Sequence, residues 1–154
     1  MSFYTLKRIQ RLPISLDTAW SFFSSPKNLS QITPAYMKFK ITSEFFSDKM
    51  YPGEIITYTV SPVANIPLNW MTEITHVKDG EYFIDEQRFG PYSLWHHQHH
   101  FKVIDGGIEM TDIVNYKIPF WIFGELAHSL FIKKQLQTIF SYRYKWLEDK
   151  FGKL

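Results

Sequence analysis

The 154-residue chain contains no cysteine. That absence removes disulfide bridges, thiolate metal ligands and a cysteine nucleophile together. Charge is also scarce: Asp, Glu, Lys and Arg make up 21% of the residues and leave a net +2. No Lys/Arg run gathers this charge into the basic face that a nucleic acid requires, so no nucleic-acid partner is expected. Long apolar runs are missing as well. A bilayer span needs about 20 apolar residues, whereas the strongest stretch here, Ile118–Phe123, is short and carries Pro119. The segment Met1–Arg8 lacks the apolar core of a signal peptide. A cytoplasmic protein with no transmembrane segment is the expectation. Repeats, low-complexity tracts and linkers are absent too, which leaves one domain over 1–154.

Aromatic rings are what the chain has in quantity. Phe 14, Tyr 9 and Trp 5 together outnumber the 15 acids, and likewise the 17 bases, each class taken alone. With 45% hydrophobic residues, this composition excludes intrinsic disorder and supplies a large core, with rings left over for a pocket lining. Four of the 6 histidines fall within Trp95-His96-His97-Gln98-His99-His100-Phe101.

Tyr4–Leu12 reads as a strand that stops at Pro13. Ser15-Leu16-Asp17 offers a cap for a short helix over Thr18–Ser24, and Pro26 restarts the chain into a second, Lys27–Ile32. From Lys38 the hydrophobic period becomes two, with Phe39, Ile41 and Phe45 alternating against polar neighbours. Further strands are expected at Glu54–Ser61, Leu68–Val77, Glu81–Phe89, Leu94–Asp105 and Ile108–Ile118. Turn signals at Pro52-Gly53, Asp79-Gly80, Gly90-Pro91 and Gly106-Gly107 separate them and make neighbours antiparallel. After Pro119 the period returns to helical as far as about Lys150, with Leu136, Ile139, Phe140, Arg143, Trp146 and Leu147 on one stripe. The order implies an α+β architecture: a curved seven-stranded antiparallel sheet around a long C-terminal helix, with two short helices after the first strand.

Turn lengths then assign the faces. Gly106-Gly107 as a loop sets His99 opposite Val114 and His97 opposite Tyr116. Asp79-Gly80 as a loop sets Ile74 opposite Asp85, Thr72 opposite Gln87 and Trp70 opposite Phe89. A bulge at Gly90 pairs Gln87 with His97 and Asp85 with His99. One face then carries Trp70, Thr72, Ile74, Phe83, Phe89, Trp95, Phe101, Val103, Met110, Val114 and Tyr116, and must be the inner one. Asp85, Gln87, His97, His99 and Asp112 share that face, while His96 and His100 turn to solvent. Buried polar groups must pair, hold water or meet a ligand.

Leu29-Ser30-Gln31-Ile32-Thr33-Pro34, Phe83-Ile84-Asp85-Glu86-Gln87, Gly90-Pro91-Tyr92 followed by Trp95-x-His97-x-His99-x-Phe101, Met110-Thr111-Asp112 and Ile139-Phe140-x-Tyr142-Arg143 resemble a bacterial group of the SRPBCC superfamily, sometimes labelled cell-division-inhibitor-like. That superfamily includes START-like lipid-transfer domains, the birch-pollen allergen type and the polyketide cyclase/dehydrase type. The resemblance covers essentially the whole chain. It implies the helix-grip fold and a ligand cavity between sheet and C-terminal helix, but it carries no single reaction with it.

The first functional expectation is therefore binding of a mainly apolar small molecule, lipid-, polyketide- or aromatic-like. Trp70, Phe83, Trp95, Phe101 and Tyr116 would supply the wall, and Asp85, Gln87, His97, His99, Asp112 and Arg143 the polar contacts. An alternative is a cyclase, dehydratase or isomerase with Asp85, His97, His99 and Asp112 as acid and base and Tyr116 as a donor to a carbonyl. A third is a structural or interaction module whose cavity is filled by side chains. His97-x-His99 with Asp85 and Asp112 also has the spacing of a divalent-metal site, yet a hydrogen-bonded network accounts for the same residues, and no metal or other cofactor is expected. Arg143, on the apolar stripe, calls for a carboxylate partner, Asp85 or Asp112, or an anionic ligand. Pro119–Phe123 is read as a cavity rim, a homodimer contact, a transient membrane contact through Phe120–Phe123, or packing beneath the helix start.

Overall fold

A computed structural model describes residues 3–44, 47–62, 64–119 and 125–154. Strand β1 (Tyr4–Leu12) leads into helix α1 (Leu16–Phe23) and two 3-10 turns, Pro26–Ser30 and Ala35–Met37. Strands β2 (Lys40–Ile41), β3 (Ile55–Val60), β4 (Leu68–Lys78), β5 (Tyr82–Phe89), β6 (Leu94–Ile104) and β7 (Gly107–Lys117) follow, and helix α2 (Glu125–Phe151) ends the fold. The sheet order is β1-β7-β6-β5-β4-β3-β2, every pairing antiparallel.

Local chemistry accounts for the short elements. Ser15 is the N-cap of α1, its hydroxyl accepting from the Thr18 N–H at 3.1 Å, so the helix begins at Leu16, two residues before the expected start. Pro26 opens not an α-helix but a 3-10 turn, a form suited to pieces this short. Only Lys40–Ile41 of the strand expected after Lys38 pairs with β3, and Phe45 lies outside the described residues.

The β5–β6 and β6–β7 registers differ from expectation by even steps. Ile104 pairs with Gly107, so the β6–β7 loop is Asp105-Gly106, with Gly106 in the left-handed region at φ +78°. This shift puts His99 opposite Asp112 and His97 opposite Val114. No bulge intervenes between β5 and β6, and Asp85 faces His97, Phe83 facing His99. Ile74 does oppose Asp85 and Thr72 Gln87, but register breaks flank these pairs and Met71, not Trp70, meets Phe89. An even step exchanges partners while leaving each side chain on its face. Two inner-face assignments are overturned: Phe89 is 64% and Val103 63% exposed. Phe89 follows the register break between β4 and β5, and Val103 sits one pair from the hairpin end.

The inner face is covered by α1 and α2. One core cluster joins Leu12, Trp20, Phe23, Ile74, Phe83, Phe101, Ile108 and Leu147; a second joins Val114, Tyr116, Leu136 and Phe140. The Gln10 amide donates to the Tyr144 carbonyl at 2.8 Å, and the Gln135 amide to Pro62 O at 2.6 Å. These bonds tie α2 to the opposite halves of the sheet.

Candidate functional site

Alternation on β6 aims His97 and His99 inward, both 6% exposed, with ring centroids 3.7 Å apart. The neighbouring strands contribute one carboxylate each, and the hydrogen bonds run diagonally across the strand pairs. His99 Nε2–H donates to Asp85 Oδ2 at 2.8 Å, and His97 Nε2–H to Asp112 Oδ1 at 3.1 Å. His99 Nδ1 lies 3.0 Å from the same Asp112 oxygen, yet forms no hydrogen bond, so its angle is poor. From α2, Arg143 Nη2 approaches Asp112 Oδ1 to 3.4 Å. Asp112 is thus the hub of the cluster.

The charges follow from these contacts. Burial would raise both carboxyls. The positive character of His97 and the hydrogen bond from His99 outweigh it at Asp85, and the Arg143 charge, with the His97 hydrogen bond and the His99 ring nearby, outweighs it more strongly at Asp112, so both titrate below the usual carboxylate range. Burial, reinforced by the charge of His99, pushes His97 down. Burial pulls His99 the same way, but the two adjacent carboxylates, Asp112 against Nδ1 and Asp85 hydrogen-bonded to Nε2, overcome it and raise the group. At neutral pH two carboxylates therefore face the Arg143 guanidinium, and of the two imidazoles His99 holds its proton more tightly than His97.

Stability is accordingly expected to peak near pH 6.5, the ordinary histidine value. Below it the unfolded chain protonates His97 while the folded chain does not, so stability falls with falling pH; the lowered Asp85 and Asp112 add to this loss once pH drops through the carboxylate range. Above it the folded chain keeps the His99 proton that the unfolded chain has released, so stability falls with rising pH. Each histidine limits its limb to about 1.4 kcal/mol per pH unit. Urea midpoints between pH 5 and 9 measure the profile, and a flat curve would contradict the assigned charges.

Beside the cluster lies a two-lobed cavity. The smaller lobe, ≈ 120 Å³, is lined by Phe83, Asp85, His97 and His99 together with Phe22, Phe23 and Ile56. The larger, ≈ 300 Å³, is bounded by Tyr58, Trp70, Tyr92 and Trp95 from the sheet side and Ile132, Leu136, Ile139 and Phe140 from α2. His97, Trp95 and Arg143 line both. Among the described residues, Asp85, His97 and His99 offer donor atoms within 4.8 Å of one another, close enough for a divalent ion, although one edge of that triangle is the 2.8 Å Asp85–His99 hydrogen bond.

Of the residues expected to contact a ligand, Trp70, Phe83, Asp85, Trp95, His97, His99 and Arg143 line the cavity. The others have structural partners. The Gln87 amide donates to the Tyr92 carbonyl at 2.6 Å and accepts from the Tyr92 N–H at 3.2 Å, bracing the β5–β6 loop. Phe101 packs on Trp20 and Phe23 in the core. Tyr116 packs on Tyr4 and Tyr92. Asp112 stands behind the histidines and lines neither lobe among the described residues. Tyr58, Tyr92, Leu136 and Phe140 were not singled out for the wall; the helical stripe already marked Leu136 and Phe140. The segment proposed as a rim or membrane contact, Phe120–Phe123, lies outside the described residues. Among the described residues, no helix is long and apolar enough to cross a membrane.

The sequence matches no protein-family model and no curated protein. Solved structures do match. A START superfamily protein from Mycobacterium smegmatis superposes with TM-score 0.70 at 10% identity over 97% of both chains. Ginseng major latex-like protein 151 from Panax ginseng gives 0.69 at 12%, also over 97% of both. Ara h 8.0201 gives 0.61 at 13%, covering 96% of this chain and 99% of its own. At such identities the likeness is one of fold.

Proposed function

Starting from the helix-grip fold of the SRPBCC superfamily, we propose that the chain binds a mainly apolar small molecule between the sheet and α2. The observation that carries this reading is the ≈ 300 Å³ lobe walled by aromatic and aliphatic side chains, with few polar groups to fix orientation. Affinity comes from removing apolar surface from water, about 25 cal/mol per Å², and a preformed wall spares the cost of ordering loops. The neutral dye N-phenyl-1-naphthylamine is expected to bind saturably, with quenching of tryptophan fluorescence through Trp70 and Trp95. Ile139→Trp, which fills the larger lobe from α2, is expected to abolish uptake while the protein stays folded. Dye uptake that is non-saturable, or unaffected by Ile139→Trp, would overturn the proposal.

Acid–base chemistry on the bound molecule is a second reading, favoured by His97. This residue lines both lobes as a neutral imidazole whose Nε2–H is held by Asp112, the arrangement of a carboxylate-oriented base. Turnover of a polyketide-like ketone that is lost in His97→Gln, with binding retained, would distinguish catalysis from carriage.

A further inference from the structure

The two lobes meet at Arg143, and the polar chemistry of the larger one is unequal. Among its described lining residues Arg143 is the one charged side chain; His97, Thr33, Tyr58 and Gln135 are neutral, and Asp85 belongs to the smaller lobe. Burying a guanidinium costs several kcal/mol, roughly, unless its donors are matched. Arg143, 8% exposed, is poorly matched. It has five N–H donors in a planar fork, yet its contact with Asp112 is a single approach of 3.4 Å, longer than a charge-assisted hydrogen bond.

The Asp112 oxygen it approaches is shared, with His97 Nε2 at 3.1 Å and His99 Nδ1 at 3.0 Å. Among the described residues Arg143 Nε is buried without a partner. The guanidinium is instead held in place by rings, with its carbon 5.4 Å from the Phe23 centroid and 5.9 Å from that of Phe140. Trp70, on the wall of the same lobe, also has a buried indole N–H with no partner among the described residues. The unmatched polar atoms at the larger lobe are thus donors, and one belongs to a cation.

We propose that the molecule held in the larger lobe is an apolar organic acid, its carboxylate or similar oxyanion seated on Arg143 and its body lying among Trp70, Tyr92 and Ile139. This rests on the reading of the cavity as a ligand site and adds the chemical class. An oxyanion there uses the guanidinium fork that Asp112 leaves free. A base or a neutral hydrocarbon does not.

Two dyes with one body separate the claims. 1-Anilinonaphthalene-8-sulfonate differs from N-phenyl-1-naphthylamine by its sulfonate, and mutual displacement confines both to one cavity. The anionic dye is expected to bind at least about tenfold more tightly, the range of a charge-assisted hydrogen bond. Arg143→Met should erase that preference, read as the ratio of the two dyes' affinities in the same variant, and saturable binding of the neutral dye there shows that the cavity is intact. Should Arg143→Met fail to fold, Arg143→Lys retains the charge but loses the fork, and an intermediate preference is expected. Equal affinities in the wild type, or a preference that survives either substitution undiminished, would overturn the assignment while leaving the apolar-ligand reading in place. Saturable binding of neither dye would remove both.

Discussion

Asp112→Asn is expected to destabilise the fold by about 3 to 5 kcal/mol, the largest effect of any single isosteric change in the site. The carboxylate is 7% exposed and brings three nitrogens within 3.4 Å of one oxygen, from Arg143, His97 and His99. Asparagine keeps the shape and removes the charge. It leaves a buried guanidinium and two imidazoles with Asp85 as the remaining carboxylate. For a chain of this length the loss corresponds to a melting temperature lower by roughly 6 to 20 °C. Adding Arg143→Met to Asp112→Asn should restore part of the loss, because it removes one stranded charge. A single variant within 1 kcal/mol of wild type, roughly the value of an exposed pair, would show that Asp112 does not organise the cluster.

Gly107→Ala should be nearly as damaging, for a reason unrelated to charge. A Cβ at Gly107 would stand 2.1 Å from the Leu12 carbonyl oxygen and 3.0 Å from its carbon. Both obstacles are backbone, and Leu12 is itself fully buried. The end of β1 must move away from β7 to admit the methyl group, weakening the Leu12–Ile108 pairing and the core beneath it. Overpacking of this kind costs typically 1 to 3 kcal/mol and more where the obstacle is rigid, so about 3 kcal/mol is expected. Urea unfolding of the variant tests it; a change below about 0.5 kcal/mol, ordinary for a surface site, would mean that the strand ends are looser than the geometry implies.

The contrast between these residues explains what the sequence could disclose. That Asp112 points inward beside two histidines follows from alternation, which survives any even slip of register. Its partner did not follow. Choosing Gly106-Gly107 as the loop instead of Asp105-Gly106 displaced the pairing by two and set His99 opposite Val114, and only the three-dimensional path of the turn distinguishes the two. The β4–β5 hairpin shows the opposite case: Lys78 pairs with Tyr82, one residue beyond the counted turn, the break between Ile74 and His76 offsets it, and Ile74–Asp85 and Thr72–Gln87 pair as the simple count had them. Arg143 was legible as an interior cation because its helical stripe is otherwise apolar, whereas the geometry that leaves its fork unfilled was not. Gln87 illustrates the remaining gap. Its inward position is readable, but its engagement with the Tyr92 backbone depends on how the β5–β6 loop curls, which no periodicity encodes.

The pairing of β1 with β7 also has a consequence in time. Tyr4 lies opposite Tyr116 and Leu12 opposite Ile108, so the first strand to be made joins a partner about a hundred residues later. At ribosomal rates of about 5 to 20 residues per second, that partner arrives roughly 5 to 20 s after it. During this interval Leu6, Ile9 and Leu12 have no strand to pair with, and Lys7, Arg8 and Arg11 between them are the charges that keep the waiting segment from joining another chain. The bases spread along the N-terminal strand thus act before the fold exists. The closing of β1 onto β7, the longest-range pairing in the sheet, belongs to the late, slow part of folding.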